Sequence, residues 1–311
     1  MGNLRQMFGS LSALSITTEE HGYTIDTPKT IFSPPVKQLL DEPKRIATIH
    51  TRFERLSSII CLNDEEFWTC GDDKFIKLYN RKGKLLKSIK AKSGNHPIDI
   101  AVTRRRNLIY IDYESVYEVR DEKIHEIIKI NWKWELFDSW DLNSVCSTSS
   151  DDLLVILHNG YRKQTKVVLF SDYKEKQTIQ FDSEGQPLYS SDYSSRNVCE
   201  NRNLDICVAD GGANAVIVVN QAGKLRFRYT GTTSATNRSF YVYGITSDSH
   251  SHILIADYNN HCIHILDQDG QLLCCIYNHD LYRPWALCLD ARDNLYINER
   301  YSGIIRKIRY M

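Results

Sequence analysis

A chain of 311 residues that is 42% hydrophobic and 11% aromatic can bury a sizeable core, which excludes disorder for most of its length. Its 39 basic residues balance 39 acidic ones, so no global field draws it to nucleic acid or to an anionic membrane. No stretch approaches the ~18 consecutive apolar residues of a membrane span, no apolar signal segment opens the chain, and Gln6 stands where myristoylation after Met1-Gly2 requires Ser or Thr. No membrane association is expected.

Residues 1–42 read as an N-terminal segment of their own. Leu4, Met7, Phe8, Leu11 and Leu14 recur at helical spacing, the pattern of one short apolar helix face available for association through residues 4–14. The polar stretch that follows contains Pro28, Pro34 and Pro35 and reads as a linker. From residue 43 to 311 the chain repeats. Asn80-Arg81-Lys82-Gly83, Asn220-Gln221-Ala222-Gly223 and Asp267-Gln268-Asp269-Gly270 are each a polar hairpin turn followed by a polar residue and Leu. The last two glycines lie 47 residues apart and the first two lie three such steps apart, which is the period of a β-propeller blade.

The clearest unit runs from Tyr241 to His279, with a strand and turn expected over Val242–Asp248 and further strands at His252–Asp257, His261–Leu266 and Gln271–Ile276. Its second strand recurs with a polar terminus at Asp72, Asp112, His158, Asp210, Asp257 and Glu299, separated by 40 to 52 residues, which predicts six blades. In the fourth of these runs, which begins at Leu204, Asp205 interrupts the apolar pattern. The sixth unit supplies three strands, and Lys44–His50 is a spare strand whose natural place is its outer edge, closing the ring. The expected fold is all-β: a six-bladed propeller with a short N-terminal helix and linker. Nine cysteines, an odd number without Cys-x-x-Cys spacing and several within apolar runs, are expected as reduced core thiols of a cytoplasmic protein.

Gly244-Ile245, Ile255-Ala256-Asp257-Tyr258-Asn259-Asn260-His261-Cys262-Ile263 and Asp269-Gly270 together resemble an NHL repeat, Leu204–Gly223 resembles the same repeat, and Pro284–Ile297 resembles it more loosely. The arrangement is similar to the C-terminal part of tripartite-motif (TRIM) proteins of the NHL class. The resemblance implies a recognition domain, the substrate-receptor part of a ubiquitin ligase. Residues 1–42 contain no cysteine, so they hold no counterpart of a RING finger or B-box.

No chemistry-bearing constellation rises above local structure. His261, Cys262 and His264 are close in sequence, but on a strand only Cys262 and His264 share a face, fewer donors than zinc requires; no metal and no cofactor are expected. Asp267-Gln268-Asp269-Gly270 lacks the bidentate Glu of a calcium loop and reads as turn chemistry. Asp72, Asp112, Asp210, Asp257 and Glu299 are expected to cap turns, although such acids also hold metals in propeller hydrolases. The basic run Arg81, Lys82, Lys84, Lys87, Lys90 and Lys92 covers an outer strand and reads as edge protection. No nucleophile elbow or phosphate-binding loop occurs, so a non-enzymatic module is expected.

The binding face is expected where second-to-third-strand turns and blade-to-blade connections emerge together. Its candidate partner-binding residues are Lys74, Tyr113, Tyr161, Arg162, Asn214, Tyr258, Asn259, Asn260, Tyr282, Arg283, Arg300 and Tyr301. Aromatics mixed with Arg and Asn suit a protein hot spot or the stacked bases of single-stranded RNA. A protein partner, such as a ubiquitylation substrate, is the first expectation. RNA is the second, disfavoured by the nearby acids Asp73, Asp257 and Glu299, and a metal-dependent hydrolase is the third.

Overall fold

The computed structural model describes residues 38–130, 139–232, 238–277 and 281–311. The helix expected at 4–14 and nearly all of the linker lie outside the described residues. Among the described residues every regular element is a strand. β1 (Lys44–His50) precedes blade one, which is β2 (Leu56–Cys61), β3 (Glu66–Gly71), β4 (Phe75–Asn80) and β5 (Leu85–Lys90). Blade two is β6 (Asp99–Val102), β7 (Leu108–Ile111), β8 (Ser115–Arg120) and β9 (Lys123–Lys129). Blade three is β10 (Asp141–Ser147), β11 (Leu153–Asn159), β12 (Gln164–Ser171) and β13 (Lys174–Ile179). Blade four is β14 (Arg196–Glu200), β15 (Ile206–Asp210), β16 (Ala215–Val219) and β17 (Leu225–Tyr229). Blade five is β18 (Val242–Ser247), β19 (Ile253–Asp257), β20 (Cys262–Leu266) and β21 (Leu272–Tyr277). Blade six is β22 (Pro284–Leu289), β23 (Leu295–Glu299) and β24 (Ile304–Arg309), completed by β1.

Each blade is a four-stranded antiparallel sheet, and the fold is a six-bladed β-propeller. β1 pairs antiparallel with β24 from Lys44 opposite Arg309 to His50 opposite Ile304. The first strands β2, β6, β10, β14, β18 and β22 each touch the next around a central channel, and β22 touches β2. The second strands β7, β11, β15, β19 and β23 are buried throughout, because a blade in a ring packs against a neighbour on both faces. The core is therefore distributed between blades: Phe67 and Tyr79 of blade one pack with Tyr296 and Ile305 of blade six, and Ile111 and Val116 of blade two pack with Leu142 and Val155 of blade three.

The hairpin turns follow their sequence chemistry. Asn80 Oδ1 accepts from the backbone N–H groups of Lys82 and Lys84, Asn220 from those of Ala222 and Lys224, and Asp267 from those of Asp269 and Gln271. Gly83, Gly223 and Gly270 take the left-handed φ of 79°, 80° and 87° that closes such a turn. Asp205 is a difference from the sequence reading. β15 begins at Ile206, and Asp205 sits in the preceding turn, where it is buried and paired with Arg226. On the outer edge of blade one, Lys87 pairs with Glu122 at 3.0 Å.

This connectivity separates two faces. The turns joining first to second strands lie on one, and they interlock around the ring: Arg104 N donates to Asp151, Ser149 N to Glu200, Asn201 Nδ2 to Ser251 O, Ser249 N to Asp293 and Ala291 N to Asp64. The second-to-third-strand turns and the blade connections form the other face.

Candidate recognition face

The second-strand acids cap the turns of this face. Asp112 accepts from the N–H groups of Glu114 and Ser115, Asp210 from Gly212 and Ser190, and Asp257 from Asn260 and Tyr241. Glu299 accepts from Tyr282 N and pairs with Arg306 at 2.6 Å. In blade one the cap is Asp73, whose carboxylate accepts from Phe75 N; Asp72, expected in that role, is exposed. The metal-ligating arrangement of a propeller hydrolase would need such carboxylates to converge on the channel. Asp99, the buried acid there, is instead bound by Ser144 Oγ, Val145 N and Ile100 N; burial nonetheless raises its carboxyl above the ordinary value.

The structure gathers part of the expected set into one patch over blades five, six and one. Trp285, at the start of β22, lies 3.4 Å centroid to centroid from Tyr243 on β18, and Tyr258 and Tyr241 close around Tyr243 at 5.5 and 5.4 Å. The Arg300 guanidinium covers the Trp285 indole at 3.9 Å and also faces Tyr301. Arg283 lies between Tyr258 and Tyr282, 5.2 and 5.3 Å from their centroids. Tyr282 stacks on His261 at 4.9 Å, and Arg55 extends the patch to Tyr301. Burial, reinforced by Arg238 and Arg283, lowers the pKa of His261 and favours the neutral ring in this stack. Tyr282 and Tyr301 are more than half exposed, whereas Trp285 is 8% exposed, a buried floor beneath a guanidinium lid.

The other candidates are dispersed. Lys74, Tyr161 and Arg162 are exposed on separate turns of blades one and three. Tyr113 stands edge-on to His96 at the mouth of the central channel, a cavity of about 350 Å³ whose wall also includes Arg196, His158, Trp285 and Arg300. Asn214 takes a left-handed φ of 47° in the Gly211–Asn214 turn, and Asn259 bonds the Ser239 carbonyl. Asn260 is buried and donates its side-chain amide to Asp257 at 2.7 Å, so it builds the turn. Sequence reasoning missed Tyr241, Tyr243, Trp285 and Arg55. The first three start innermost strands, and only ring closure places β18 beside β22 and makes a strand-start aromatic part of a face. Their spacing gives one signal: Tyr241 and Tyr243, two residues apart, share a side of the strand.

Within blade five, Cys262 and His264 share a face of β20, while His261, with a left-handed φ of 56°, sits in the turn. All nine cysteines are free thiols, including Cys61 and Cys288, whose sulfurs approach to 3.0 Å between blades one and six.

No family model matches the chain, and no curated protein matches it significantly. Solved structures do. A virginiamycin B lyase from Staphylococcus aureus superposes with a TM-score of 0.60 at 10% identity over 87% of this chain and 100% of that one. A structural-genomics protein of unknown function from Bacteroides thetaiotaomicron gives 0.60 at 14% over 86% and 72%, and the WD40 propeller domain of Doa1 gives 0.55 at 10% over 86% and 97%. At these identities the likeness is one of fold, and the fold is the propeller.

Proposed function

We propose that this chain is a non-enzymatic recognition module whose partner is a protein, docked on the aromatic and arginine patch over blades five, six and one. The observation that carries the reading is the stacked group of Trp285, Tyr243, Tyr258, Arg283 and Arg300 rimmed by exposed Tyr282 and Tyr301. Rigid aromatics and arginines around a desolvated centre are the composition of a protein hot spot. A narrower form of the proposal is the substrate-receptor role of a tripartite-motif-type ubiquitin ligase; it rests on the NHL-like residues of blades four to six. Nine free thiols favour a reducing, cytoplasmic setting.

Single-stranded RNA is the second reading, and one observation favours it beyond the sequence. Asp257 and Glu299, counted above against RNA, are 1% and 3% exposed and internally paired, so the patch presents its arginines little diluted. Against it, the ring faces that bases would stack on are already covered: Trp285 by Arg300 and Tyr258 by Arg283. The two readings separate by salt. With the full chain as bait, protein capture is expected to survive nuclease and high salt. Bound RNA, or binding that falls steeply with salt as counterion release requires, would overturn the protein reading.

A further inference from the structure

We propose that Asp257, Cys262, His264 and Cys275 form a structural zinc site inside blade five. Three adjacent strands bring them together: Asp257 ends β19, Cys262 and His264 lie two residues apart on β20, and Cys275 lies on β21. The register sets Asp257 opposite Cys262 and His264 opposite Cys275. Counting β20 alone yields two donors; the flanking strands supply the other two.

The donor atoms of Asp257, Cys262 and His264 all lie within 4.8 Å of one another, and Cys275, directly across from His264 on the same face of the sheet, is the fourth donor beside them. His264 Nε2 stands 3.4 Å from Asp257 Oδ2. That is longer than a charge-assisted hydrogen bond of about 2.7–2.9 Å. It matches the edge of a tetrahedron, about 3.3 Å, between nitrogen and oxygen each roughly 2.0 Å from a zinc ion. The surroundings orient the donors as second partners do around a metal. Tyr229 OH lies 2.7 Å from His264 Nδ1, leaving Nε2 to face the cluster, and Asn260 Nδ2 donates to Asp257 Oδ2 at 2.7 Å.

Two sulfurs, an imidazole and a carboxylate form a borderline-soft, four-donor set that suits Zn²⁺ and not Ca²⁺ or Mg²⁺. Asp257, Cys262 and His264 are almost wholly buried, and four protein donors leave no position for water, so the site is structural. Binding as two thiolates releases whatever thiol protons remain, and the ion then staples β19, β20 and β21. The turn between the ligands Asp257 and Cys262 carries Tyr258 and Asn259, so the same ion would fix one corner of the patch described above.

The test uses the full chain, chelator-stripped under reducing conditions and titrated with Zn²⁺ alone against a chromophoric chelator, and separately with Co²⁺ alone. One equivalent of zinc per chain is expected, with cobalt giving thiolate charge-transfer bands and tetrahedral visible bands that zinc abolishes. Cys275→Ser, on the half-exposed outer strand, is expected to weaken zinc binding by at least about 100-fold and to remove most of the charge-transfer intensity. Cys288→Ser, in blade six, is expected to change neither. If Cys275→Ser misfolds by circular dichroism, zinc X-ray absorption on the parent decides, with two sulfurs at about 2.3 Å and two lighter donors at about 2.0 Å expected. Absence of binding, a sulfur-free shell, a four-sulfur shell, or an unchanged cobalt spectrum in folded Cys275→Ser overturns the proposal.

Discussion

Arg196 has no exposed side-chain surface, and it is the charge on which blade four turns. Its guanidinium donates to the carbonyls of Ser190, Asp192 and Ser194 and to Ser190 Oγ, and Nε lies 3.2 Å from Asp210 Oδ1. Asp210 in turn accepts from Ser190 N and Gly212 N. Removing one member of a buried pair strands the other, so Arg196→Met is expected to lose about 3–5 kcal/mol in urea unfolding. Adding Asp210→Asn to it is expected to recover part of that loss, since the stranded charge is gone. Asp248 and His252 make a second pair, 2.8 Å apart, with Tyr310 OH also on Asp248. The hydrogen bond to Asp248 raises the pKa of His252 against the opposing effect of burial. Burial works against the Asp248 charge, yet the His252 side chain and backbone outweigh it and hold the carboxyl below its usual range. The raised histidine stabilises fully below its unfolded pKa of about 6.5 and loses that contribution as pH rises through its folded value. The depressed aspartate contributes above about 3.9 and loses it as pH falls. His252→Gln is therefore expected to lower Tm most near pH 5–6 and progressively less toward alkaline pH; a deficit that grows with pH would contradict the pairing.

At the level of strands and turns, Gly244 marks a close approach between neighbouring blades. A Cβ there would stand 2.3 Å from the Trp285 carbonyl oxygen and 3.0 Å from Ala286 Cα, so only glycine lets β18 lie this close to β22. Gly244→Ala is expected to cost about 1–3 kcal/mol by overpacking and, because Trp285 is what it pushes, to change the tryptophan fluorescence. The same contrast of local and distant explains what the sequence revealed. Asn80, Asn220 and Asp267 cap their own turns within four residues, so the hairpins and their period were readable as a pattern. Blades two and three lack the glycine-closed hairpin pattern because their outer hairpins turn on Asp121-Glu122 and Asp172-Tyr173, left-handed pairs with φ between 48° and 62° and no glycine to mark them. The patch was half legible. Tyr282, Arg283, Arg300 and Tyr301 stand in turns, whereas Trp285 and Tyr243 meet only because two first strands distant in sequence become neighbours. The partnership of His264 with Cys275 was hidden likewise, since cross-strand register carries no sequence spacing.

For the whole molecule, the ring gives each face a different occupation. On one, the first-to-second-strand turns hold one another through Arg104–Asp151, Ser149–Glu200 and Ser249–Asp293. On the other, blades five, six and one raise aromatics and guanidiniums whose neighbouring acids are turned inward. This asymmetry is the central claim, and proximity labelling tests it most directly. A photo-crosslinking residue would be placed at Ser302, exposed beside Tyr301, and separately at Lys82, exposed on the hairpin turn of the opposite face. Irradiated in nuclease-treated lysate, the Ser302 protein is expected to form protein adducts that Tyr282→Ala and Tyr301→Ala diminish, and the Lys82 protein is not. Adducts from Lys82 alone, or Ser302 adducts indifferent to both tyrosine substitutions, would contradict it.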